Sequence, residues 1–202
     1  MVLTAAMSAL APPVAAEDIR IMLYGDSLLA GLGLSAEESL MGQLQAAMDA
    51  ERIQATLVNA SVSGDTTADG LARLDWTLGD APDAVILGLG ANDMLQGFPA
   101  TDARANLDAI MARLDQLGVP VLLLGMKANR GLGSDYVDEF DAIYPDLAQE
   151  HGTLLYPFFL GGVALDPDLN QRDLLHPNAE GVAVIVAGMM PLVEQLVQSV
   201  EP

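Results

Sequence analysis

No cysteine occurs among the 202 residues, which excludes disulfides, thiolate-held metals and a cysteine nucleophile. Histidine is nearly as scarce. The 2 present, His151 and His176, are fewer than a two-metal hydrolytic site normally draws on. Positive charge is the third shortage: Lys plus Arg number 8 against 28 Asp plus Glu, for a net charge of -20 at pH 7. A surface of that sign repels phosphate backbones and anionic lipid headgroups, so nucleic acid is excluded as a partner. No unbroken apolar run is long enough to span a bilayer, and stable membrane insertion is not expected. What the chain does have is a core: 51% of residues are hydrophobic and 18% charged, too apolar for a disordered chain. Its length fits one domain. A monomer is favoured.

The N-terminus has the layout of a secretory leader. An apolar stretch, Val2 to Leu10, is followed by Pro12-Pro13, by small residues at Val14 and Ala16, and by the acidic Glu17, a pattern that reads as a signal-peptide cleavage site. The one departure is that no Lys or Arg precedes the apolar stretch. Residues 1–16 are therefore expected to be a leader, residues 17–202 a single domain, and the location periplasmic or extracellular.

Along the rest of the chain, short aliphatic runs alternate with longer amphipathic ones, the signature of an α/β fold. The runs at 21–24, 56–60, 84–89, 119–124 and 153–156 are almost wholly apolar, as strands buried on both faces are, and predict a parallel sheet of about five strands. Helical periodicity covers 38–51, 67–78, 102–116, 134–150 and 177–197, with lengths suited to crossovers between parallel strands. Each strand leads into a loop rich in Gly, Asn, Asp or Ser. In such sheets these loops meet beyond the carboxyl ends of the strands, where ligands bind.

Four of these features carry chemistry, each with an ordinary structural alternative. Gly25-Asp26-Ser27-Leu28 puts a hydroxyl at a strand-to-helix turn, near helix N–H groups that favour negative charge; a plain N-cap serine would look the same. In Asp173-Leu174-Leu175-His176-Pro177 a carboxylate three residues ahead of an imidazole can fold back to hold its ring N–H, leaving the other nitrogen to take a proton from a hydroxyl. Pro177 is expected at the first helical position. Ser63-Gly64-Asp65-Thr66 and Gly90-Ala91-Asn92-Asp93 offer a backbone N–H and a side-chain amide that, with the Ser27 N–H, could cradle an oxyanion. Both also read as simple glycine turns.

The residues quoted resemble the SGNH/GDSL hydrolases: Ser27, Gly64, Asn92 and His176 stand in the order and contexts of that family's four blocks, with Asp173 in the place of the triad acid. Asn59 to Thr66, Gly70-Leu71-Ala72-Arg73-Leu74, Ile143-Tyr144-Pro145 and Pro157-Phe158-Phe159 look like its bacterial periplasmic branch of arylesterases, acyl-thioesterases and lysophospholipases. The resemblance implies a flavodoxin-like three-layer α/β/α sandwich. It further implies a serine esterase without metal or other cofactor, with Ser27, His176 and Asp173 as triad and Ser27, Gly64 and Asn92 as oxyanion hole. Two departures bear on substrate preference. Ala91 replaces a frequent second glycine, and Lys127 with Arg130 occupy a loop that is often apolar in relatives.

A small neutral ester is the expected substrate, since a strongly acidic body resists polyanionic coenzyme A thioesters. Met94, Leu95 and Phe98 could wall the acyl or aryl group, and the polar Asp26 and Asn129, in loops after the first and fourth strands, complete the candidate substrate contacts. The Gly-rich segment 126–135 is expected to be mobile beside the site. His151, next to Gly152 at an expected helix end, suits a dipole-stabilising role. Two other classes remain open: a metal-assisted phosphoesterase using Asp26, Asp93, Asp173 and His176, and a non-enzymatic flavodoxin-like ligand-binding module.

Overall fold

The computed structural model describes residues 19–200; the expected leader at 1–16 and its cleavage site lie outside them. Five parallel strands form one sheet in the order β2-β1-β3-β4-β5: β1 Ile19–Gly25, β2 Ala55–Asn59, β3 Ala84–Gly88, β4 Val121–Leu124 and β5 Leu154–Tyr156. Each expected strand is present, with ends displaced by at most two residues. The inner strands are apolar at consecutive positions, with Ile21 to Tyr24, Ala84 to Leu87 and Val121 to Leu124 all buried, because helices cover both faces.

The longer helices are α2 Leu40–Ala50, α3 Thr67–Thr77, α5 Ala100–Leu117, α6 Ser134–His151 and α7 Ala179–Val200. Helices α3, α5 and α6 pack together in one layer, and α2 and α7 in the other, giving the three-layer sandwich. By length and composition α7 could cross a membrane, which a search for unbroken apolar runs overlooks because Glu180 and Glu194 interrupt it. Here Val182, Ile185, Val186, Met189, Val193 and Leu196 form its buried stripe.

Two short helices, α1 Ser27–Ala30 and α4 Ala91–Gln96, lie at the carboxyl ends of β1 and β3. These neighbouring strands run in register, Gly25 opposite Gly88, and the strand order reverses between them, which is where a doubly wound sheet opens its crevice. The two glycines are needed for contact: a Cβ on Gly25 would lie 2.5 Å from Gly88 O, and one on Gly88 would lie 2.8 Å from Leu29 Cδ1. Leu29 of α1 therefore rests directly on the strand ends, and Ser27 is held against the sheet.

Candidate active site

Asp26 starts α1. Its backbone is extended and its side chain accepts the Leu28 N–H at 3.0 Å, an N-cap that satisfies one of the helix's free donors. Gly31 closes the helix in the left-handed region, φ +80°. Ser27, the first helical residue, is thus fixed within a single turn, and its Oγ lies 2.9 Å from His176 Nε2.

His176 arrives from the other end of the chain. Its loop is closed by backbone pairing of Asn170 with Pro177 and by Gln171, whose N–H donates to His176 O at 2.8 Å and whose amide donates to Leu32 O and Pro177 O. Pro177 is consequently part of this closure and lies outside the helix. α7 begins two residues later at Ala179, with Asn178 Oδ1 accepting the Gly181 N–H. Within the loop, Asp173 folds back as its spacing suggests. Its Oδ2 lies 2.7 Å from His176 Nδ1, and its Oδ1 accepts the N–H groups of Leu175 and His176. The turn needs Leu174 at φ +58°, a conformation costly for a branched residue. Partial burial raises the Asp173 carboxyl, but the hydrogen bonds from the His176 ring, Leu175 and His176 outweigh it and bring it down to about 2. With the imidazole proton on Nδ1, the ring donates to a persistent carboxylate and Nε2 is left to accept from Ser27.

Asn92, on the first turn of α4, donates from Nδ2 to Asp65 O at 2.9 Å, and the same nitrogen stands 3.4 Å from Asp26 Oδ2, the long limit of a hydrogen bond. One N–H is firmly held, the other weakly. The turn before it requires glycine: Gly90 has φ +111°, and a Cβ there would lie 2.3 Å from the Tyr144 hydroxyl, which donates to Leu89 O. Asp93 points away into the fold, accepting from Thr67 N and Oγ1 at 2.8 and 2.6 Å, and so joins the loop carrying Gly64 to α4. Asp26 is buried, and desolvation lifts its carboxyl to about 6 against the opposing Leu28 N–H and His176.

These groups meet at a cleft of about 340 Å³ whose lining includes Ser27, Gly64, Asn92 and His176. Met94 and Leu95 line it as expected, whereas Asp26, expected among the substrate contacts, is buried outside the lining with its carboxylate on the Leu28 N–H. Phe98 does not line it; it borders a separate groove with Asp102 and Asn106. Asn129 is also turned elsewhere, its side chain accepting the Gly131 N–H. Leu28, Leu32, Met126, Leu160 and Leu175 complete the apolar wall. Of these, only Leu28 and Leu175 carried a signal, being next in sequence to Ser27 and His176. The segment expected to be mobile is tied to α6 through Asp141, which accepts the Ala128 N–H and pairs with Arg130 and Lys127. His151 does end α6, and its two ring nitrogens also bridge Asp115 and Asp108 of α5 at 2.5 and 2.8 Å. Among the described residues no group of three or more His, Asp or Glu side chains is placed to hold a metal.

Comparison with known proteins gives a consistent picture. The model of the GDSL-like lipase/acylhydrolase family matches residues 23–184. The chain is 38% identical to an arylesterase of Vibrio mimicus over 162 residues, 80% of this chain and 81% of that protein. It is 35% identical over 178 residues, 88% of this chain and 84% of the other, to thioesterase 1/protease 1/lysophospholipase L1 of Escherichia coli K12. Among solved structures, the SGNH-hydrolase family esterase AlinE4 superposes with a TM-score of 0.76 at 43% identity, covering 90% of this chain and 98% of that one.

Proposed function

The chain belongs to the GDSL-like lipase/acylhydrolase family and is a carboxylic ester hydrolase, and from that premise we propose that Ser27 is its nucleophile, His176 its general base and Asp173 the acid that orients His176. The observation that carries this reading is the chain of contacts Ser27 Oγ to His176 Nε2 to Asp173 Oδ2, at 2.9 and 2.7 Å, opening on an apolar cleft.

Ser27 Oγ attacks the ester carbonyl carbon while its proton passes to His176 Nε2, and the Asp173 carboxylate stabilises the imidazolium. The carbonyl oxygen becomes an oxyanion held by the N–H groups of Ser27 and Gly64 and by the loosely engaged second N–H of Asn92. Collapse breaks the bond to the leaving oxygen, which takes the proton from Nε2 and departs as the alcohol or phenol. A water then gives its proton to Nε2 and attacks the acyl-enzyme. The second collapse releases the acid and returns the proton to Ser27.

The wall of Leu28, Leu32, Met94, Leu95, Met126, Leu160 and Leu175 suits an aryl or short to medium acyl group, and the net charge of -20 favours neutral esters over coenzyme A thioesters. Thioesters and lysophospholipids are secondary substrates in this reading. The leader pattern supports export to the periplasm, with the protein acting there as a monomer. Hydrolysis of para-nitrophenyl esters from acetate to palmitate, with chelator throughout, tests the proposal on the parent and Ser27→Ala. Activity lost only in the variant supports it, whereas equal activity in both removes Ser27 from the mechanism.

A further inference from the structure

Behind the cleft, and outside its lining, Arg73 of α3 gathers the loops that end β1 and β2. Its Nε donates to Asp65 Oδ2 at 2.6 Å, Nη1 to Ala60 O at 2.7 Å and Nη2 to Gly25 O at 3.2 Å. The guanidinium stacks 4.1 Å above the Tyr24 ring, whose hydroxyl donates to Gly70 O one turn back on α3. We infer that Arg73 is a positioning residue that sets the mutual alignment of the three oxyanion donors, an inference that rests on the roles proposed above for Ser27, Gly64 and Asn92.

Each donor is one short step from a group that Arg73 holds. Ser27 is two residues beyond Gly25. Gly64 immediately precedes Asp65, and Asn92 leans on Asp65 O at 2.9 Å. Gly64 is the donor most dependent on such anchoring. It has φ +93°, and no atom beyond its chain neighbours lies within 4 Å of where its Cβ would be, so its peptide is held by the Asp65 N–H donated to Val62 O and by the Asp65 carboxylate on Arg73. Three acceptors on two loops are satisfied by one planar fork. Lysine, a single point charge, can keep the Asp65 contact but cannot reproduce that geometry.

The test is a cycle of Arg73→Lys and Asn92→Ala, singly and together, measuring kcat and KM on para-nitrophenyl butyrate with thermal unfolding alongside. Arg73→Met is added as the charge-free variant. Losing one oxyanion donor costs about 10²-fold or more, so donors slightly displaced by Arg73→Lys should cost about 10-fold in kcat with KM within about 2-fold. In the Asn92→Ala background the further loss should shrink to about 4-fold, because one of the three donors that Arg73 aligns is already gone while Ser27 and Gly64 still depend on it. Arg73→Lys that lowers the melting temperature while leaving kcat intact overturns the inference, as does a loss that multiplies in full with Asn92→Ala. If Arg73→Met does not fold, the lysine variant decides. Failure of the serine reading is separate: it shows as activity retained in Ser27→Ala, and Asn92→Ala without effect removes the oxyanion assignment together with this inference.

Discussion

Replacing Asp26 by Asn is expected to stabilise the protein at alkaline pH, and to do less as the pH falls. Asp26 is 1% exposed, and burial, joined by the nearby Asp65 and Asp93 and opposed by the Leu28 N–H and His176, lifts its carboxyl from 3.8 to about 6. A folded value above the unfolded one means that the stability this group contributes is complete below about pH 3.8 and is lost as the pH rises through about 6. At 1.36 kcal/mol per tenfold change, burying Asp26 costs the fold about 2 kcal/mol at pH 5, where it is mostly protonated, and about 3 kcal/mol at pH 8, where it is ionised. The amide keeps an oxygen for the Leu28 N–H, but it turns the 3.4 Å approach of Asn92 into donor against donor, a loss of about 1 kcal/mol. The variant should therefore exceed the parent by about 2 kcal/mol at pH 8, and the gap should be about 1 kcal/mol smaller at pH 5. Urea unfolding of both proteins at the two pH values measures this. A variant less stable than the parent at pH 8, or a gap that narrows as pH rises, refutes the reasoning.

Asp173→Asn should lower kcat by about 10⁴-fold, since the amide favours the wrong imidazole tautomer, and steady-state kinetics on para-nitrophenyl butyrate reads it. The Asp173 carboxyl lies below its ordinary value, so the stability it contributes is present above about pH 3.8 and lost as pH falls towards 2; acid unfolding of the variant should lack that loss. For His151, burial lowers the ring's affinity for protons but the hydrogen bonds to Asp115 and Asp108 outweigh it and raise the value. Its contribution is therefore full below about pH 6.5 and lost at higher pH, and His151→Gln should unfold with less pH dependence than the parent between pH 6 and 9. Gly90→Ala forces a side chain into the left-handed region and against the Tyr144 hydroxyl. It should destabilise by about 2–3 kcal/mol, seen as a lower thermal midpoint by circular dichroism.

The five strands were legible because burial on both faces makes each an apolar run, and α6 and α7 were legible through Pro145 and Pro191 because their periodicity continues past both. The start of α1 was legible at the strand-to-helix turn of Ser27, but its length was not, and α4 was not legible at all. At 4 and 6 residues they are too short to show a period, and a single cap or glycine defines each. The contact of Asp173 with His176 could be read from a local motif, since three-residue spacing already allows the carboxylate to reach the ring; that Ser27 meets them was implied by the resemblance and by the loops converging beyond the strand ends. The cleft wall could not: Leu32, Met126 and Leu160 come from separate connections, and nothing in sequence distinguishes them from other exposed or core aliphatics. Phe98 and Asn129 were drawn in by proximity along the chain. Phe98 follows the left-handed Gly97 that ends α4 and falls in another groove, while the Asn129 side chain is used in capping the turn at Arg130–Leu132.

Ser27 and His176 touch across 149 positions of sequence. On the proposed mechanism, a chain still being synthesised, or cut anywhere before residue 176, carries the hydroxyl without its base and should be inert however well its first strands have formed. Appearance of hydrolysis during refolding should therefore report the closure of the loop at 170–177 onto Ser27. Because joining such distant segments carries the chain-entropy cost of a long loop, enzymatic activity should be the last signal to recover and the first to be lost.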